Sequence, residues 1–84
     1  MGYGIRIANF IGETEIYIAS NAIIQSSDGY AIYIDPTCTG KVTINNQSSN
    51  VKADSNGEYA LYYNGITDLS KKLKIGTTTI QASN

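Results

Sequence analysis

The sequence predicts an all-β protein, a parallel β-helix of three coils with three short strands in each coil. Three observations support this prediction: the composition favours strands and turns, one pattern of residues occurs three times, and apolar and polar residues alternate inside each copy. The composition combines 7 Tyr and 8 Gly with only 1 Pro in 84 residues. Aromatic residues favour strands, and glycines favour the turns between them. The prediction treats residues 1–84 as a single domain.

The repeated pattern opens with a strand that has a tyrosine at its start. Its three copies read GYGIRIAN from residue 2, GYAIYIDP from residue 29 and EYALYYNG from residue 58. An apolar pair follows in each copy: Ile16 and Ile18, Val42 and Ile44, Leu73 and Ile75. One further apolar residue marks a third strand: Ile24, Val51 and Ile80. The repeats therefore span 2–28, 29–57 and 58–84, and each supplies the three strands of one coil.

A small antiparallel β-sandwich built of hairpins is the alternative to the β-helix. Hairpins prefer two-residue Asn-Gly or Asp-Gly turns between complementary strands. Here such pairs occur at roughly matching edges of the repeats instead: Asp28-Gly29, Asn56-Gly57 and Asn64-Gly65. Their placement favours the β-helix.

Alternation in the first strand of each coil separates an apolar interior from an exterior row. The interior ladders are Ile5, Ile32 and Leu61, and Ile7, Ile34 and Tyr63. The exterior row consists of Arg6, Tyr33 and Tyr62 beside a strip of small residues. A shelf of this kind suits a stacked sugar ring or a second protein surface. Outward tyrosines also suit a strand by stacking on each other, so a purely structural role is the other interpretation.

Two strings, GYAIYI…GKVTINN…VKA and EYALYY…LKIGTTTIQA, resemble the coils of a known group of proteins. These are the right-handed β-helices, especially the passenger repeats of autotransporter-type bacterial adhesins and other pectate-lyase-like solenoids. The resemblance covers essentially the whole chain. It implies a right-handed coil and an extracellular or surface-exposed scaffold for adhesion or assembly.

Residues that serve most catalytic and metal sites are scarce. The chain has no His and only one Cys, Cys38, which we expect to be a free thiol in a turn or in the core. Glu13 and Glu15 form the one close acidic pair, but both point from the same face of a strand, whereas glycoside hydrolysis needs two carboxyls across a bound sugar. We therefore expect a non-enzymatic protein without a cofactor or a metal.

Charge and hydropathy set expectations for partners. Six Lys and Arg residues nearly balance 7 Asp and Glu residues, which does not predict a nucleic-acid partner. The first residues lack the basic and apolar regions of a secretory signal, and no apolar run approaches the roughly 20 residues of a membrane span. The sequence therefore predicts no membrane span and leaves the location to the resemblance.

The ends of the predicted β-helix suggest self-association. A β-helix needs capping elements because an open coil exposes unpaired strand edges, and no such cap is visible in the sequence. If one copy stacked its first coil on the third coil of another, Glu13 and Glu15 would meet Lys72 and Lys74. The residues predicted to take part are Ile5, Ile7, Glu13, Glu15, Leu61, Lys72, Leu73 and Lys74.

Two functions follow as expectations. The first is a structural subunit that stacks head to tail into a fibre or an extended scaffold, since a head-to-tail contact does not close on itself. The alternative is a glycan- or protein-binding module of an adhesin or a phage-tail-like protein. Its ligand face would be the row of Arg6, Tyr33 and Tyr62.

Overall fold

A computed structural model describes residues 2–81, so residues 82–84 of the predicted third repeat lie outside the described residues. Residues 2–81 form strands and turns and contain no helix. The strands are β1 (Tyr3–Ile7), β2 (Glu13–Ile18), β3 (Ile24–Ser26), β4 (Tyr30–Ile34), β5 (Lys41–Asn46), β6 (Val51–Ala53), β7 (Leu61–Tyr63), β8 (Ile66–Asp68) and β9 (Gly76–Gln81). The Cα radius of gyration is 11.7 Å, close to the value of about 12 Å expected for a compact chain of this length.

These strands form three sheets. Sheet A has the order β1-β4-β7-β8, sheet B the order β2-β5-β9, and sheet C the order β3-β6. Each strand of the first repeat pairs in parallel with its counterpart in the second repeat. The predicted register is observed in sheet A, where Ile5, Ile32 and Leu61 lie side by side. The repeated pattern therefore identified the strand partners of the first two repeats.

The predicted three-coil right-handed β-helix is wrong, because the third repeat turns back on the second. Only β7 continues the parallel order, next to β4. The next strand, β8, pairs antiparallel with β7, and β9 pairs antiparallel with β5. Ile80, predicted to lie beside Val51, lies opposite Val42 instead. The alternative sandwich is also wrong, since four of the six strand pairs within residues 2–81 are parallel and the strands form three sheets.

A tight turn at Asn64 and Gly65 explains the reversal. Both residues have positive φ angles, 44° at Asn64 and 79° at Gly65. A type I′ turn needs positive φ at both central positions, and Asn-Gly is its preferred sequence. The turn joins Tyr63 directly to its antiparallel partner Ile66. Local turn chemistry thus ends the parallel order before a third coil forms.

The hydrophobic core is centred on the second repeat. Its largest fully buried side chains include Ile32, Ile34, Ile44, Leu61 and Ile80. Cys38 is also buried and is a free thiol, in agreement with a core position. Ile18 of the first repeat belongs to this core, but the other apolar side chains of that repeat that pack against it are only partly buried: Ile7, Phe10, Ile16, Ala22 and Ile24. The first repeat is therefore a layer with one uncovered side.

A buried polar network ties the three repeats together. Asn46 and Ser48 are both fully buried. The Asn46 side-chain amide donates to the carbonyl oxygens of Ser48, Leu73 and Lys74 at 2.9, 3.3 and 3.1 Å. The Ser48 hydroxyl donates to the carbonyl oxygen of Ala22 at 2.6 Å. One pair of side chains thus fixes backbone from the first and third repeats against the second.

Candidate functional site

The first candidate site is the side of the molecule formed by the outer edges of β1, β2 and β3, which we name the front end. Each of these strands lies at the edge of its sheet, and no other strand within residues 2–81 pairs with its outer side. An edge strand presents a row of unpaired backbone N–H and C=O groups. Behind the edges lie the half-buried side chains of Ile5, Ile7 and Ile16. The front end therefore offers backbone hydrogen bonds next to apolar surface.

The opposite side, which we name the back end, is formed by β8, residues 69–75 and β9. Strands β8 and β9 are the other edges of sheets A and B. Residues 71–73 run along β6 of sheet C, where the backbone N–H of Ala53 donates to the carbonyl oxygen of Lys71 and that of Leu73 donates to the carbonyl oxygen of Val51, both at 2.8 Å. The third repeat thus covers the core on this side.

Large exposed apolar side chains lie in the strands and connecting loops of the first repeat and in the third repeat. Those of the first repeat are Tyr3, Ile11, Tyr17 and Ile23, and those of the third are Ile66, Leu69 and Ile75. Exposure reaches 81% at Ile11 and 80% at Leu69. Within the described range, none occurs between residues 24 and 65. The middle of the chain is covered from both sides, whereas the two outer segments are not.

The two end segments also differ in charge. Residues 2–28 carry Arg6 against three carboxylates, Glu13, Glu15 and Asp28, which gives a formal charge of −2. Residues 66–81 carry Asp68 against three lysines, which gives +2. The lysines are Lys71, Lys72 and Lys74, and all three are exposed. The two end segments therefore have opposite formal charges.

The structure separates the residues predicted to take part in self-association. Leu61 and Leu73 are buried, at 0% and 4% exposure, and do not reach the surface. Glu13 and Glu15 lie on β2 in sheet B. Lys72, in contrast, forms an antiparallel bridge with Lys52 of sheet C. The predicted one-to-one pairing of these charges would therefore have to join different sheets.

The remaining three predicted residues lie at the two ends. Ile5 and Ile7 are half-buried on the edge strand β1. The carbonyl of Lys74 accepts a hydrogen bond from Asn46, and its side chain is exposed at the back end. Each end therefore contains some of the residues predicted to take part in self-association.

The three residues predicted to form a ligand face lie in a row across sheet A. Arg6 lies beside Tyr33, and Tyr33 beside Tyr62. The rings of Tyr33 and Tyr62 stack with 4.6 Å between centroids and 9° between planes. Two further rings join them, since Tyr3 lies 4.4 Å from Tyr33 and Tyr30 lies 5.2 Å from Tyr62. We name these four side chains the tyrosine face.

An ion pair borders the tyrosine face. The Nη2 atom of Arg6 lies 2.5 Å from Oδ2 of Asp35. The backbone N–H of Thr37 also donates to this carboxylate at 3.0 Å, and that bond, followed by the bond from Arg6, lowers the pKa of Asp35. Partial burial, followed by the neighbouring ring of Tyr62, raises the pKa of Tyr33. At neutral pH the face therefore presents neutral Tyr33 beside a charged pair.

Sequence reasoning missed Tyr3 and Tyr30, because both share the strand side of the inward-facing isoleucines. A residue at the start of a strand can direct its ring around the corner of the sheet, and both tyrosines occupy that position. The tyrosine at the start of each of these strands was the sequence feature that could have indicated their place in the tyrosine face.

Three further findings complete the description of the candidate sites. No group of three or more Asp, Glu or Cys side chains within residues 2–81 could hold a metal ion. No helix in the same range is long and apolar enough to cross a membrane. Comparison with known proteins finds no matching family model, no matching curated protein and no matching solved structure, so the resemblance to adhesin passengers stays a prediction.

Proposed function

We propose that the protein is a non-enzymatic structural subunit whose front end binds the back end of another copy. The observation that supports this function is the position of the large exposed apolar side chains, which fall within residues 3–23 and 66–75 and nowhere between them in the described range. Contiguous exposed apolar surface marks interaction sites, and its burial stabilises association by about 25 cal/mol per Å². A head-to-tail contact would bring together the two segments that carry them.

Charge favours this polarity over a symmetric dimer. A head-to-tail contact brings the segment of charge −2 against the segment of charge +2, whereas a contact between two front ends opposes two segments of charge −2. Exposed ion pairs contribute only about 0.2 to 1 kcal/mol each. Their effect is therefore on orientation and association rate, while apolar burial and strand pairing supply the affinity. Because the contact joins two different surfaces, it continues from copy to copy.

Association is expected to be lost when the exposed loops beside the front end are made polar. Sedimentation velocity at tens of micromolar should show oligomers for the original chain and at least a tenfold weaker association for Ile11→Asp with Ile23→Asp. The matched control is Ser49→Asp with Ser55→Asp, which adds the same charge at exposed positions of the second repeat. The proposal is overturned if the original chain stays monomeric up to 100 μM or if the control loses association equally.

Carbohydrate binding at the tyrosine face is the second candidate function. Four tyrosine rings in mutual contact, with the Arg6–Asp35 pair at their border, support it. Aromatic rings provide flat apolar surface for sugar rings, and the charged pair and the hydroxyls provide hydrogen bonds. The stacking of Tyr33 on Tyr62 alone is also explained by sheet stability.

A glycan array distinguishes these roles for the tyrosine face. Retention of a glycan by the original chain should be abolished by Tyr33→Ala with Tyr62→Ala. Tyr17→Ala is the control, since Tyr17 is an exposed tyrosine on another sheet. Absence of retention, or equal loss in the control, leaves the stack with a structural role only.

A further inference from the structure

We infer that sheet B forms the junction between copies: β2 of one copy pairs antiparallel with β9 of the next. This inference rests on the proposed head-to-tail function. Strands β2 and β9 are the two edges of the same sheet, and each has six residues. The edges of sheet A are shorter, with five residues in β1 and three in β8. In sheet C, residues 71–73 already occupy the far side of β6. Sheet B therefore offers the longest edges at both ends.

The direction and the register of this pairing follow from the sheet itself. Strand β2 is parallel to β5, and β9 is antiparallel to β5, so a copy stacked without rotation presents its β2 antiparallel to β9. The pairings with β5 place Glu15, Thr43 and Thr79 in one column. They place Ile16, Ile44 and Thr78 in the adjacent column. Continuation of the sheet then sets Glu15 of the next copy beside Thr79, and its Ile16 beside Thr78.

The side chains fit this register. Ile16 lies on the core side of β2 and is half-buried, and its neighbour Thr78 is half-buried on the core side of β9. On the outer side, Glu15 would meet the neutral Thr79, whose hydroxyl lies 3.4 Å from that of Thr43. A two-fold pairing of β2 with β2 would instead bring two rows of Glu13 and Glu15 onto one face, and like charges on neighbouring strands are destabilising.

Disulfide cross-linking tests the junction. Glu15 and Thr79 of one chain are separated by the intervening strand β5, about 9.6 Å between Cα atoms, which exceeds the roughly 7 Å limit for a disulfide. Chains with Glu15→Cys and Thr79→Cys together should therefore form a ladder of linked oligomers on mild oxidation. Each single variant should give at least tenfold less linked product, and the original chain, whose Cys38 is buried, should give none.

A second pair of cysteine substitutions tests whether copies join through sheet A instead. Arg6 and Thr67 occupy one column at its two edges, through Tyr33 and Tyr62. Chains with Arg6→Cys and Thr67→Cys should remain unlinked. If this pair links instead, or if neither pair links although the original chain assembles, the inference is overturned while the proposed function stands. If the original chain does not assemble at all, the proposed function fails, and the inference fails with it.

Discussion

Replacing Asn46 with alanine is expected to lower the free energy of unfolding by about 2 to 4 kcal/mol. The side chain is fully buried and donates to three backbone carbonyls, those of Ser48, Leu73 and Lys74. Its Oδ1 also accepts from the backbone N–H of Ser48 at 2.9 Å. Alanine leaves these groups without their partner, and a buried unpaired polar group costs about 1 to 3 kcal/mol.

Urea denaturation followed by circular dichroism measures this effect. The matched control is Asn45→Ala, because Asn45 is the neighbouring residue on β5 and accepts one hydrogen bond, from the side chain of Gln47. We expect the control to change the free energy of unfolding by less than about 0.5 kcal/mol. Equal midpoints for the two variants would show that Asn46 does not hold the third repeat in place.

Replacing Gly40 with alanine should destabilise the protein by about 3 kcal/mol, because two backbone segments touch at this position. A Cβ atom at Gly40 would overlap the backbone of Gly12 and lie 2.5 Å from Cε2 of Phe10. The backbone N–H of Lys41 donates to the carbonyl oxygen of Gly12 at 2.7 Å, and that of Thr39 to the carbonyl oxygen of Phe10 at 2.8 Å. A methyl group would force these segments apart and weaken both bonds.

Thermal unfolding provides the measurement for Gly40→Ala. A change of 3 kcal/mol corresponds to a decrease in Tm of about 12 to 24 °C for a domain of this size. Gly2→Ala is the control, since the added methyl would meet only the end of the flexible Asp28 side chain, 2.8 Å from Oδ1. A similar Tm for both variants would contradict a tight backbone contact at Gly40.

The sequence was sufficient to predict strand partners wherever neighbouring repeats remain parallel. In sheet B the strands pair as predicted but the register differs by two residues, since Ile16 lies beside Ile44 and not beside Val42. In the other two sheets Tyr3 pairs with Tyr30, and Ile24 with Val51. These pairs occupy corresponding positions in the repeated pattern, and period-2 alternation fixes which side of a strand is buried. A shift by one residue would expose the whole apolar side, whereas a shift by two residues, as in sheet B, keeps that side buried.

The third repeat could not be assigned in the same way, because similarity to the earlier repeats conflicts with turn chemistry. The Asn64-Gly65 pair was interpreted as a repeat edge, although it is the preferred sequence of a type I′ hairpin turn. Once the chain reverses there, Ile80 packs beside Val42 instead of Val51. Leu73 keeps an apolar environment because it packs into the same core from a segment that is not a strand. Hydrophobic pattern alone does not distinguish these two ways of covering a core.

The candidate sites were predictable to different degrees. The row of Arg6, Tyr33 and Tyr62 followed from strand alternation and is observed. The ion pair of Arg6 with Asp35 joins residues 29 positions apart, and it depends on a loop conformation that alternation does not describe. The back end depends on the reversal of the chain after β7, so its surface does not follow from the repeated pattern.

Sheets A and B differ in height because they have different numbers of strands. Sheet A has four strands, whereas sheet B has three. One strand adds about 4.8 Å of height and packed sheets lie about 10 Å apart, so a neighbour seated on sheet B must incline by roughly 25° to clear β8. Repeated inclinations in one plane would bring about 14 copies around to the starting point, and any twist would convert that circle into a spiral. The proposed assembly is therefore expected to be curved, and its curvature would be set by the β7–β8 hairpin.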